Sequence, residues 1–165
     1  IVGHRIPNYF VDRDASDNRI EIENIGKLAG DLSQDEAVVI FPEGTRFSQA
    51  KLERAVDALS ISAPERVASA RRLHSVLPVR TPGLLAILNN AVTTDLVLLN
   101  HVGVTDFRNL RDLWVNIPFP APLHFNAERL VRSELPAVTE PEILIETIDE
   151  LWEKFDQWVL VNQKN

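Results

Sequence analysis

The sequence predicts an α/β domain with a largely parallel central sheet and flanking helices, and three observations carry that prediction. Val38-Val39-Ile40-Phe41 is a run of β-branched and aromatic residues without polar alternation, as expected of a strand buried on both faces. A second strand-like run, residues 8–13, lies upstream, and residues 19–31 between them place Ile20, Ile22, Ile25, Leu28 and Ala29 near the helical period. Strand, helix and strand in that order make a βαβ unit, whose strands run parallel through a right-handed crossover. A long amphipathic segment at the end of the chain, residues 140–161, supplies a helix to cover such a sheet.

The elements follow in order. Asn8 to Arg13 ends in charge and passes into a polar turn, Asp14 to Asn18, with Ser16 and Asp17 placed to cap the helix over 19–31. Pro42 closes the 38–41 strand because it has no N–H for a ladder. Two short helices are predicted at 49–59 and 63–73, the second opening on the capping-box pattern Ser62-Ala63-Pro64-Glu65. It ends on Arg71-Arg72, and with Arg66 these read as a solvated, dipole-compatible face, headgroup contact being the alternative. Ser75 to Arg80 is a short apolar strand interrupted by Pro78. Thr81-Pro82-Gly83 then turns into a buried helix over 84–88.

A strand at 95–102, a helix at 107–114 with a core-facing stripe of Phe107, Leu110 and Trp114, and a strand at 121–127 come next. In the last helix Thr139 and Glu142 form a capping box. Leu144, Ile148, Leu151, Phe155 and Val159 line the buried face, with Trp152 and Trp158 flanking it and a mostly acidic face outward.

At 165 residues, 45% apolar and 25% charged, the chain makes a single domain, 1–165, of ordinary globular composition. No run approaches the ~18 apolar residues that a membrane span requires. With no cysteine there is no disulfide, thiol nucleophile or thiolate metal site. No His/carboxylate group has metal-ligand spacing, and neither a Gly-rich nucleotide loop nor a G-x-S-x-G elbow is present, so no metal or cofactor is expected. The net charge of −7 argues against a nucleic-acid partner. Residues 46–80 alone are positive, with 7 Lys/Arg against 3 Asp/Glu, which suits an anionic ligand or equally a solvated helix face.

That positive segment begins at the most informative motif. Phe41-Pro42-Glu43-Gly44-Thr45-Arg46 puts a flexible turn and a guanidinium at the carboxyl end of a strand, where open α/β sheets place their ligands. Arg46 there is either a surface cation or a grip for phosphate through paired hydrogen bonds. The run resembles the third conserved block of the glycerolipid acyltransferases, the family that includes 1-acylglycerol-3-phosphate acyltransferase. Phe10-Val11-Asp12-Arg13 resembles the second block, and Leu77-Pro78-Val79 the fourth.

The resemblance covers residues 8–80. It implies transfer of a fatty acyl chain from acyl-CoA or acyl-carrier protein to a lysophospholipid, foremost 1-acylglycerol 3-phosphate. Arg13 and Arg46 would hold the phosphate, Glu43, Gly44 and Thr45 would shape the turn, and Pro78 would stand by the acyl chain. It also implies peripheral contact with the cytoplasmic side of a membrane. The T-P-G run and the long gap from Arg46 to Pro78 are closer to lysocardiolipin-type remodelling enzymes.

The family's first block, a His and an Asp with four residues between them, supplies the base that takes the acceptor's proton. It belongs upstream of Arg13, and His4 fails the spacing because Tyr9 stands at the Asp position. Asn100-His101 through Asp106 matches the pattern out of order, and Asp106 reads more simply as the N-cap of the next helix. The expectation is therefore an N-terminally truncated domain, lacking its first strand and helix and inactive by itself, with His101 and Asp106 as the only base candidates in view. A non-catalytic lipid-phosphate binding module is the competing class.

Overall fold

In the computed structural model the described residues are 19–30, 32–103, 110–115, 117 and 122–163. They are a mixture of helix and strand: α1 (Arg19–Lys27), α2 (Gln49–Ser62), a 3-10 turn (Pro64–Arg66) leading into α3 (Val67–Ala70), α4 (Thr81–Asn90), β1 (Leu96–Val102), α5 (Leu110–Val115), β2 (His124–Leu130), a second 3-10 turn (Arg132–Glu134) and α6 (Pro141–Asn162).

The large parallel sheet is not found among them. The sheet is a two-stranded antiparallel pair, β1 on β2, in register from Leu96 opposite Leu130 to Val102 opposite His124. The run 38–41 forms no ladder there, and Val39 and Phe41 are 77% and 82% exposed rather than buried. A strand needs a neighbour for its peptide groups, and the predicted partner, residues 8–13, lies outside the described residues. Ile40 points the other way, its Cδ1 close to Gly83 in α4.

Both predicted capping boxes are also replaced. Proline occupies the first helical position at Pro64 and Pro141, so the N-caps are Ala63 and Glu140, without side-chain capping bonds. A ring with φ already set and no N–H to satisfy starts a helix without that help. Trp114, expected in a core stripe with Phe107 and Leu110, is 76% exposed. Phe107 lies outside the described residues.

The core gathers around α6. Leu144, Ile148, Trp152 and Val159 are buried with Leu52 of α2, Leu73 and Val76 to Val79 of the 71–80 segment (Pro78 excepted), Leu88 of α4 and Val102 of β1. Leu151 and Phe155, expected at the centre of that face, are only partly buried. Trp152, expected at its flank, sits at its centre. Its ring stacks on Phe155 with centroids 4.5 Å apart, and its indole N–H donates to the Leu77 carbonyl at 2.8 Å.

The acidic residues of α6 do not all face solvent. Asp156 is 0% exposed and accepts hydrogen bonds from the backbone N–H groups of His74 (3.1 Å), Ser75 (2.6 Å) and Val76 (3.1 Å). Asp149 takes a two-pronged bond from the buried Arg66, at 2.8 Å from Nε and 2.7 Å from the terminal nitrogen, which also donates to the Val79 carbonyl at 3.1 Å. Arg66 is thus a core ion pair, not part of a solvated cationic face. Such geometry is what allows a guanidinium to be buried at all.

These bonds explain why residues 75–80 are irregular where a strand was predicted. Several of their peptide groups are satisfied by side chains of α6 and by Arg66 of the first 3-10 turn, in place of a neighbouring strand. The far side of the molecule is held differently. Gly26 in α1 lies so close to α4 that an added Cβ would meet the Asn90 amide at 2.7 Å and the Ala86 carbonyl oxygen at 3.0 Å.

Asp156→Ala removes the acceptor of three N–H donors, one buried at Val76 and two part-buried at His74 and Ser75, each worth about 1–3 kcal/mol when left unpaired. We expect a loss of about 3–5 kcal/mol in urea unfolding. A loss under about 1 kcal/mol would mean that water replaces the carboxylate without cost.

Candidate functional site

Phe41 to Gly44 is a tight turn, closed by the Gly44 N–H donating to the Phe41 carbonyl at 3.0 Å. Pro42 occupies its second position and Gly44 its last, which suits both residues. Gly44 has φ of +69°, in the left-handed region that an L-residue reaches only under strain. A side chain there would also crowd Arg80. A Cβ on Gly44 would lie 3.2 Å from Nε and 3.3 Å from Cδ and Cζ of Arg80.

Two bonds fasten this turn to the segment that α6 holds. The Arg80 N–H donates to the Pro42 carbonyl at 2.9 Å, and the Leu77 N–H donates to Glu43 Oε2 at 2.7 Å. Two carboxylates, Asp156 and Glu43, therefore collect four consecutive backbone N–H groups, 74 to 77. Burial pushes the Glu43 carboxyl above its ordinary range; the Leu77 bond opposes that shift and the nearby Asp156 charge adds to it. Beyond the turn, Lys51 of α2 donates from Nζ to Thr45 Oγ1 and to the Arg46 carbonyl, both at 2.9 Å. The Arg46 side chain is exposed.

The site residues expected from the sequence thus separate by role. Glu43, Gly44 and Thr45 shape and fasten the turn, and Arg46 is displayed by it. Lys51 and Arg80 join them, although sequence reasoning assigned neither to the site. Lys51 follows Arg46 by five positions, a spacing that the first turn of α2 brings back to the motif. Arg80 sits at the end of the apolar 77–79 run, but only its backbone bond to Pro42 reveals where that run goes. Among the described residues no ion pair neutralises Arg46, Lys51 or Arg80.

Pro78 is half-buried and lines a cavity of about 10 Å³ with Leu59, Leu73, Asp149 and Trp152, room for a water molecule. Arg13 and Asp106 lie outside the described residues. His101 is on the outer face of β1, tilted against Phe125 at 6.2 Å between ring centroids, while Asn100 beside it is buried on the inner face. The alternation of a strand separates the first two members of the N-H-x-x-x-x-D pattern. His74 is exposed, with Nδ1 3.7 Å from Asp156.

Compared with protein-family models, curated proteins and solved structures, the chain matches none. Among the described residues no His, Asp and Glu side chains cluster as a metal site would require, and no helix is long and apolar enough to cross a membrane.

The turn's anchorage has a pH signature. Folded, Glu43 keeps its proton to a higher pH than it does unfolded, so folding takes up a proton just above the ordinary carboxylate range. Stability from this group rises as pH falls through that window, and at neutral pH its charge works against the fold. Glu43→Gln retains an acceptor for the Leu77 N–H without the charge. Urea titration at pH 7 should find it as stable as the wild type or slightly more so, with the difference shrinking towards pH 4.5. Glu43→Ala should lose about 1–3 kcal/mol. Equal losses for Gln and Ala would show that the charge itself holds the turn.

Proposed function

We propose that this chain is an acyltransferase domain of the glycerolipid type, and that its E-G-T-R turn grips the phosphate of a lysophospholipid acceptor. The supporting observation is the turn itself. Glu43 and Gly44 are committed to anchorage, which leaves the exposed Arg46 on a rigid base, with Lys51 and Arg80 beside it and no described carboxylate paired to any of them. A displayed guanidinium on a fixed backbone is well suited to a phosphate, because little order has to be created on binding.

In the proposed reaction the acceptor's hydroxyl oxygen attacks the thioester carbonyl of acyl-CoA or acyl-carrier protein. The new C–O bond replaces the C–S bond, the hydroxyl proton leaves to a base, and the thiolate departs and is protonated. The residues described here would contribute orientation, since an acceptor fixed by its phosphate presents its hydroxyl at a defined distance. 1-Acylglycerol 3-phosphate is the acceptor proposed first, and a remodelling reaction on a lysocardiolipin-type acceptor uses the same grip. Peripheral contact with the cytoplasmic side of a membrane finds support in the exposed Trp114, Val115 and Ile117.

One observation favours a second reading, a lipid-phosphate binding module without catalysis. His101, the base candidate among the described residues, faces outward and forms no ion pair with a described carboxylate. Thiol release from acyl-CoA that depends on lysophosphatidate would exclude the second reading, and its loss in His101→Ala would make that residue the base.

Both readings share one binding prediction. Calorimetric titration of monomeric 1-acylglycerol 3-phosphate should give saturable binding that Arg46→Ala weakens about tenfold, the scale of one charge-assisted hydrogen bond. An unchanged affinity in a folded Arg46→Ala variant would remove the turn from the binding site.

A further inference from the structure

We propose that Arg80 is a second phosphate-binding guanidinium, acting with Arg46 as a clamp that favours a doubly charged phosphomonoester over a phosphodiester. The inference rests on reading the turn as a phosphate grip. Its own evidence is the seat of Arg80. The Arg80 N–H is bonded to the Pro42 carbonyl at 2.9 Å, which fixes residue 80 beside the turn whatever its side chain does. The side chain runs along the turn, with Cδ, Nε and Cζ 3.2–3.3 Å from the point where Gly44 would carry a Cβ. Gly44 and Arg46 are two residues apart, so their Cα atoms are separated by at most ~7 Å. The guanidinium of Arg80 is therefore brought to the same short stretch of backbone that displays Arg46.

The glycine and the arginine explain one another. At φ of +69° the turn favours glycine in any case. The missing Cβ also opens the space into which Arg80 lies, so the position serves conformation and access together. Arg80 is exposed, and among the described residues it forms no ion pair. A guanidinium has five N–H donors, far more than contact with a turn uses. Lys51 differs, because its ammonium is already occupied by Thr45 Oγ1 and the Arg46 carbonyl. Lys51 is a positioning residue, and Arg80 is the cation with donors to spare.

Two guanidiniums match a phosphate with two negative charges and three terminal oxygens. A diester has one charge and two such oxygens, and gains less from the second cation.

The experiment uses this chain, its Arg46→Ala, Arg80→Gln and Arg80→Lys variants, and two soluble probes, glycerol 3-phosphate and glycerophosphocholine. Urea unfolding checks that each variant is folded. We expect Arg80→Gln to weaken glycerol 3-phosphate about tenfold, as Arg46→Ala does, and glycerophosphocholine about twofold or less, with Arg80→Lys recovering part of the loss. Binding weakened by Arg46→Ala but unmoved by Arg80→Gln overturns the role of Arg80 and leaves the turn as the grip. Equal losses for both probes, or no recovery with Lys, assign Arg80 a structural role and overturn the clamp. Absence of glycerol 3-phosphate binding to the wild-type chain overturns the reading of the turn, and the clamp with it.

Discussion

Four backbone amides in a row, His74 to Leu77, donate to side-chain carboxylates, and the arrangement of the remaining core follows from where those carboxylates come from. Asp156 reaches the first three from the C-terminal third of α6 and Glu43 takes the fourth from the E-G-T-R turn. The carbonyls of the same segment are used as well, Leu77 by Trp152 and Val79 by Arg66. A buried peptide group without a partner costs on the order of 1–3 kcal/mol, so an irregular segment can cross a core only under such conditions. Here the requirement ties three distant parts of the chain together: the turn at 41–46, the crossing segment at 74–80 and the last helix.

The same bonds make the candidate site rigid. Glu43 is the residue of the turn whose charge would most directly oppose an anionic ligand, and it is directed to the Leu77 N–H instead. Its elevated carboxyl range shows that burial outweighs the hydrogen bond, with the fully buried Asp156 adding to the effect. Arg66 and Asp149 brace the crossing segment from its other side, in a pair that is expensive to break because either partner alone would be a buried charge. Charge is thus concentrated inside this small core for geometry, while Arg46 and Arg80 stand outside it.

What could be read from the chain alone divides along the range of the interactions. α2, β1, α6 and the body of α4 were legible because their periodicity is local: the 144–148–159 spacing announces α6 before any contact is known, whereas the starts of α4 and α6, at Thr81 and Pro141, differ from the turn and capping box expected there. The turn was legible for the same reason, since Pro42 and Gly44 act through their own backbone preferences. The crossing segment was not. Val76, Leu77 and Val79 have a strand's composition, but the groups that satisfy their backbone lie about 80 residues later in α6 or about 34 residues earlier in Glu43. One signal was available. Asp149 and Asp156 fall on the stripe of Trp152, and acids on an apolar helix face call for a buried donor. The run 38–41 misled for a complementary reason: its composition is that of a buried strand, yet burial is conferred by neighbours, and among the described residues Val39 and Phe41 have none to cover them.

Native-state amide hydrogen exchange on the wild-type chain tests the carboxylate-held segment most directly. If Asp156 and Glu43 hold it as described, the amides of residues 74–77 exchange only through global unfolding, with the same protection as Ile148 and Trp152 in α6. Exchange of 74–77 by local opening, at the rate of an exposed loop and with α6 still protected, would contradict the account and leave the E-G-T-R turn without its anchor.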